Sequence, residues 1–235
     1  MDKNTIKKEN DLEILENPEV LADRLTHGSE DFVKKNRNVL LGLFVVIAAA
    51  IVGGFLYFNH RSTQNEEAQA AMFQAVYYFE ADSLSKALNG DGQHQGLLSV
   101  AEEYGSTKAG NLAKFYAGVA FLKQGKYQEA LDQLQDYKSD DLILQGRAYS
   151  LQGDANLELG KKQEAADLYL KAADYNANEF FSPQYLLKAA MAFEENKDYA
   201  AALEAYERLM TSFPNAPEVN DAKKYKARAE VLAGK

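Results

Sequence analysis

Twenty consecutive residues without a charge, Val39 to Phe58 (VLLGLFVVIAAAIVGGFLYF), constrain this chain more than any other feature. As an α-helix they extend roughly 30 Å at about 1.5 Å per residue, the thickness of bilayer hydrocarbon. A core helix of a soluble protein normally keeps a polar stripe. This run has none, so the sequence predicts a transmembrane helix over 39–58. Ala48-Ala49-Ala50 offers a cleavage-like site, but residues 1–38 precede the run and it continues well past the alanines. Both features favour an uncleaved anchor over a signal peptide.

The flanks set a direction. Lys34, Lys35 and Arg37 stand before the run; His60, a single Arg61 and then Glu66 and Glu67 follow it. The basic side stays cytoplasmic, so residues 1–38 are expected in the cytoplasm and 59–235 beyond the bilayer, in the periplasm of a bacterium. Phe55, Tyr57 and Phe58 suit the outer interface. Ala49/Gly53 and Ala50/Gly54 are small residues four apart, a face for close packing of another membrane helix. In the tail, Asn17-Pro18-Glu19 reads as a helix start, Val20, Leu21 and Leu25 as a short apolar stripe, Gly28 as a stop, and Ser29-Glu30-Asp31 as the next start. The short amphipathic helix is expected to rest on the membrane surface; docking on a cytoplasmic loop of a partner is the alternative.

The second half is rich in alanine, leucine, lysine and glutamate, which favours helix. Three segments share one skeleton: Gly118, Tyr127, Ala130, Leu134; then Gly153, Lys162, Ala165, Tyr169; then Ala190, Tyr199, Ala202, Tyr206. In each, a small residue precedes an alanine by twelve positions and a bulky residue follows four later. Two antiparallel helices approach closely only where side chains are small. Gly125 and Gly160 stand at the turns, where glycine adopts a positive φ, and Asn196 stands nearly at the matching place. No single hairpin buries its apolar face, so stacking must supply the core. The predicted fold is all-α: one N-terminal transmembrane helix, a linker helix and degenerate hairpin over 59–110, then an α-solenoid of three hairpins and a capping helix over 111–235. The cap, from about Pro217 to Leu232, carries Lys223, Lys224, Lys226 and Arg228.

Several kinds of chemistry find no support. With no cysteine in 235 residues there are no disulfides, thiolate ligands or cysteine nucleophiles. A net charge of −9 argues against nucleic acid as a partner. Gly105-Ser-Thr-Lys-Ala-Gly110 has the glycine spacing of a phosphate loop, but Asn111 and Leu112 follow where Lys and Ser/Thr are required, and a helix precedes it rather than a strand. Gly105 fits a helix end and Ser106 or Thr107 the next cap. His27, His60 and His94 are scattered, no metal-ligand spacing occurs, and acidic pairs such as Glu102-Glu103 suit solvated helix faces. Neither catalytic residues, metal nor cofactor is expected.

The hairpin skeleton resembles the tetratricopeptide repeat, with Pro214 of SFPNAP at that family's usual proline position; the first two repeats lack the proline and none has the family's tryptophan. The resemblance implies a partner-binding hollow lined by the first helix of each hairpin: Leu112, Phe115, Val119 and Leu122, then Arg147, Ser150, Asp154 and Leu157, then Gln184, Leu187 and Met191. Some relatives grip a terminal carboxylate with lysine and asparagine here; Phe115 and Val119 replace that pair, which fits an apolar groove for a helix or extended segment. Cover by the 64–104 hairpin or by the terminal helix is the equal alternative.

The order of parts (a tail with NPEVLADRL, one membrane helix, then EEYGSTKAGNLAKFYAG leading into three repeats) resembles the bacterial ancillary Sec-translocon subunits of the YfgM type. That resemblance implies an inner-membrane anchor, a periplasmic repeat domain, association with SecYEG channel subunits and with a membrane-anchored prolyl-isomerase-type chaperone, and a role in passing exported client proteins onward. A periplasmic scaffold for envelope assembly or cell division, and an enzyme without a legible site, are the other classes.

Overall fold

The computed structural model describes the backbone of residues 18–234 and the side chains of residues 33–234. The expectations for residues 1–17, and for Val20, Leu21, Leu25 and the cap at Ser29, fall outside what it describes. Every regular element among the described residues is helical. The chain divides into two units, Met1–His60 and Arg61–Lys235, and helix α1, Pro18–Glu80, runs through both.

In the first unit α1 passes straight through Gly28, where the sequence predicts a stop. One glycine costs a helix only about 1 kcal/mol relative to alanine, too little by itself to end a helix. The apolar run is bare: Val39, Phe44, Phe55 and Phe58 are each 69–71% exposed. This stretch is long and apolar enough to be a candidate membrane span. Gly53 and Gly54 have open space where a Cβ would stand.

The second unit begins with the rest of α1. Its alanine-rich course through Glu66 to Glu80 continues the helix out of the apolar run, as the sequence suggests, but it stops before Ala81. There Asp82 adopts φ +55°, the Asp82 N–H donates to the Phe79 carbonyl and the Ser83 N–H to that of Tyr78. This paired arrangement closes a helix by satisfying its orphan carbonyls. Short helices α2 (Leu84–Asn89) and α3 (Leu97–Glu103) follow. Then come α4 (Lys108–Lys123) with α5 (Tyr127–Asp136), α6 (Leu142–Glu158) with α7 (Lys162–Tyr175), α8 (Ser182–Glu195) with α9 (Tyr199–Ser212), and α10 (Val219–Leu232). Successive helices from α3 to α10 pack side by side, apart from the intervening loops, as a helical-repeat solenoid.

The turn that ends α1 recurs in every hairpin. Gly125 (φ +72°), Gly160 (φ +76°) and Lys197 (φ +63°) each donate to a carbonyl three residues back, and the next residue donates five back. The third of these corrects the expectation for Asn196, which stays right-handed at φ −78° while Lys197 makes the turn. All four turns stand five residues before a fully buried alanine: Ala87, Ala130, Ala165 and Ala202. Ala75, also fully buried, precedes Ala87 by the same twelve positions that separate Gly118 from Ala130. The hairpin expected to be degenerate therefore carries the same skeleton, interrupted after Asn89 by the loop of residues 90–96. Where the others place Leu134, Tyr169 or Tyr206, it has Asp91, which accepts from the Tyr78 hydroxyl at 2.7 Å and from the Gln93 and His94 N–H groups.

Close helix approach follows from the small residues. A Cβ on Gly118 would stand 2.5 Å from Leu134 Cγ, and one on Gly153 2.6 Å from Tyr169 Cε1. Leu134, Tyr169 and Tyr206 are at most 1% exposed, and burying each such side chain contributes roughly 1.5–3 kcal/mol. The Gly105–Gly110 stretch is a helix joint: the Thr107 hydroxyl oxygen caps α4 by accepting from the Gly110 N–H at 3.0 Å, while its O–H donates to the Tyr104 carbonyl. A Cβ on Gly110 would lie 2.0 Å from that carbonyl oxygen. The glycine serves contact, not a phosphate.

Candidate functional site

The first helices of successive hairpins, α4, α6 and α8, present the residues that the sequence places on one face. The structure divides that face in two. Between α4 and α6, Val119, Leu122, Leu151 and Leu157 line an open groove of about 430 Å³, with Asp154, Glu158 and Tyr127 along it. Between α6 and α8, Arg147, Ser150, Asp154 and Gln184 surround a smaller polar cleft of about 120 Å³, joined by Tyr185 and Lys188.

Not every expected residue is open. Phe115 is 7% exposed and packs with Leu134, Tyr137 and Ala148; its ring centroid lies 5.2 Å from that of Tyr137. It belongs to the packing between hairpins. Leu112 is half-buried against the same cluster and lines a separate cavity with Lys108 and Leu144. Leu187 is half-buried on the C-terminal core, and Met191 is 39% exposed. The membrane-helix residues Ala49, Ala50, Gly53 and Gly54 lie in the other unit, on α1.

Asp154 is the electrostatic centre of this face. Its Oδ1 accepts from the Tyr169 hydroxyl at 2.6 Å, and Lys188 Nζ reaches Oδ1 at 2.8 Å and Oδ2 at 3.1 Å. Burial, followed by the Asp154 charge, pushes the Tyr169 phenol well above its ordinary value. Farther along the groove, the Glu158 carboxylate is the first cause of a raised Tyr127 phenol. Sequence reading missed Lys188, Tyr185 and Leu151. The signal for Lys188 was present: it follows Asp154 by 34 positions, three short of the 37 that relate these two repeats, which sets it one helical turn before the matching position on the adjacent first helix. The face thus sets an apolar slot beside a fixed ion pair. Among the described residues no three histidine or carboxylate side chains gather at metal-binding distance.

Residues 112–141 and 184–216 match the tetratricopeptide-repeat family model. No curated protein matches the chain. Two crystal structures are similar in fold: nearly identical tetratricopeptide-like repeats from a Podosopora anserina protein assigned as a kinesin light chain, and a single-substitution variant of it. Each is 15% identical, has a TM-score of 0.54, and covers 72% of this chain and 88% of its own. The array is thus a tetratricopeptide-like solenoid, and such repeats imply a scaffold for protein–protein contact.

Proposed function

We propose that this chain is a non-enzymatic, membrane-anchored helical-repeat adaptor at the Sec translocon. It sits in a bacterial inner membrane with a cytoplasmic N-terminus and a periplasmic array. There it links SecYEG channel subunits to a membrane-anchored prolyl-isomerase-type chaperone and offers its first-helix groove to exported client proteins. The observation that carries this reading is α1. It carries the bare apolar run in the first unit and, in the second, contributes Ala68, Met72, Ala75 and Phe79 to the array's N-terminal core, so anchor and array belong to one chain. A repeat surface built onto its own anchor is held near whatever occupies the same membrane, and tethering raises effective concentration so that modest affinity suffices. The order of tail, anchor and repeats supports the translocon as the neighbour.

The test is photo-crosslinking from Leu122 and Leu157 in intact inner membranes. Adducts with channel subunits and the chaperone are expected. Adducts confined to division or envelope-assembly proteins would replace the translocon with a periplasmic scaffold role. Protease added to spheroplasts is expected to digest residues 62–235; their protection until lysis would reverse the orientation.

A further inference from the structure

A further cavity, of about 380 Å³, lies where the first hairpin meets the second, and two glutamines of α6 line it. Gln145 and Gln152 are 5% and 6% exposed. Each spends one end of its carboxamide on the fold: Gln145 Oε1 accepts from the Ser139 N–H at 2.7 Å, and Gln152 Nε2 donates to the Leu134 carbonyl at 2.9 Å. Among the described residues neither the Gln145 Nε2 nor the Gln152 Oε1 has a hydrogen-bond partner. Among the described residues no side-chain polar atom sealed from solvent lacks a partner, so these two free ends open to the cavity.

The repeats themselves show that packing does not need these residues. Shifted by the 37 positions that relate Ala165 to Ala202, Gln145 and Gln152 become Ser182 and Ala189. Shifted by the 35 that relate Ala130 to Ala165, they become Gly110 and Ala117. All four are buried in place. Small residues fill the role twice, and long amides at such positions break the local pattern in the way a functional site does. Tyr149, between the glutamines, meets Tyr175 edge-on at 5.6 Å and carries Lys171 over its ring at 4.0 Å. Lys138, Lys171 and Asp140 bring charges of both signs to the cavity, so neither an anion nor a cation is singled out.

We infer that this cavity binds the neutral main chain of an extended polypeptide segment, with Gln145 donating to one peptide carbonyl and Gln152 accepting from another peptide N–H. Seven residues of helix rise about 10 Å, the length of about three extended residues, so the donor and acceptor address peptide groups three apart. The aromatic walls lie against the strand between them. The site is separate from the first-helix groove.

The experiment uses the full chain in detergent micelles, labelled with 15N-glutamine, titrated with acetyl-Ala-Gly-Ala-amide and, separately, with sodium acetate. The tripeptide is expected to shift the Gln145 and Gln152 carboxamide signals saturably, with contacts from its methyl groups to the Tyr149 and Tyr175 rings. Gln145→Ser and Gln152→Ala, the residues of the third repeat, are each expected to weaken binding about tenfold, the effect of roughly one lost hydrogen bond. Leu122→Asp in the first-helix groove should leave it unchanged. No saturable shift, affinity retained in both glutamine variants, or a response to acetate alone would overturn the assignment. The wild-type ring contacts decide the matter without any variant: their absence at saturation counts against the site.

Discussion

Arg228 on α10 holds the carboxylate of Glu194 on α8, its Nη2 at 2.8 Å from Oε2 and its Nε at 3.2 Å from Oε1. The Tyr206 hydroxyl of α9 donates to the same Oε2 at 2.6 Å. Acid, tyrosine and base on three successive helices repeat the arrangement of Asp154, Tyr169 and Lys188, again with 34 positions between acid and base, displaced by one helical turn. The terminal helix, expected from its lysines and arginine as a polar cap, is thus also tied in by a specific bond. Glu194 has only 6% of its side chain exposed, whereas Arg228 has 54%. Arg228→Ala leaves the carboxylate with one partner and is expected to cost about 1–3 kcal/mol in denaturant unfolding, toward the lower end because the guanidinium is half solvated. In an Arg228→Ala, Glu194→Gln double variant the loss should be smaller than the sum of the singles; strict additivity would show that the pair does not couple.

The glycines that let helices touch predict a steric effect. Gly118→Ala forces Leu134 to move, because the new methyl would stand 2.5 and 2.9 Å from two of its carbons and 3.3 Å from the Ala130 carbonyl oxygen. Overpacking of this kind costs about 1–3 kcal/mol. Adding Leu134→Ala opens the space, so the double variant should lose less than the two single losses combined. Thermal melts of the four proteins measure this directly.

Turn residues give a prediction of opposite sign. Gly160 has nothing within 4 Å of a built Cβ, so Gly160→Ala carries only the cost of φ +76°, about 1–2 kcal/mol. Lys197 already bears that cost at φ +63°. Lys197→Gly should therefore stabilise the array, by at most about 1 kcal/mol once the freer unfolded chain is counted. A drop in melting temperature for Lys197→Gly would mean that its side chain, not its backbone, sets the turn.

These residues also show what a sequence displays and what it withholds. Gly125 and Gly160 announce their turns because only glycine adopts that backbone cheaply. Lys197 does not, since a side chain held in place by its neighbours can occupy a costly conformation, and the adjacent Asn196 drew attention for the right chemistry at the wrong position. Ala75 and Ala87 keep the repeat spacing, yet the loop of residues 90–96 and Asp91 hide it by removing the bulky landmark four residues on. Phe115 reads as a surface residue by analogy because its cover, Tyr137, comes from an irregular loop. Asp154 and Lys188 join helices one repeat apart, a relation that becomes visible only when the repeats are laid side by side.

Tyr169 and Tyr206 are both buried against carboxylates, and burial, then the neighbouring acid, raises each phenol above its ordinary value of 10.0. A phenol whose pKa is higher folded than unfolded supports the fold fully below about pH 10 and less as pH rises beyond it. Phenolate absorbance should therefore show these two of the fourteen tyrosines ionising together with loss of helix, not ahead of it. In a Tyr169→Phe, Tyr206→Phe variant the fall of stability above about pH 10 should be shallower, even though its stability at neutral pH is lower. Ionisation of both while the circular dichroism is still native would show that the sites admit water.

The anchor makes its own prediction. Ala49 lies midway along a run of α1 whose large side chains stand bare. In a bilayer Ala49→Arg would place a charge near the centre, at a cost of about 2.5–3.5 kcal/mol on insertion scales, while Ala49→Leu would be neutral or favourable. A Cβ on Gly53 or Gly54 would meet no other side chain within 4 Å, so Gly53→Leu should leave insertion intact and weaken only association with another membrane helix. Carbonate extraction separates these effects: Ala49→Arg is expected to move chain into the soluble fraction and Gly53→Leu is not. Equal retention of wild type and Ala49→Arg would mean that the apolar run is covered by protein, and that its exposed residues mark an interface instead of a membrane span.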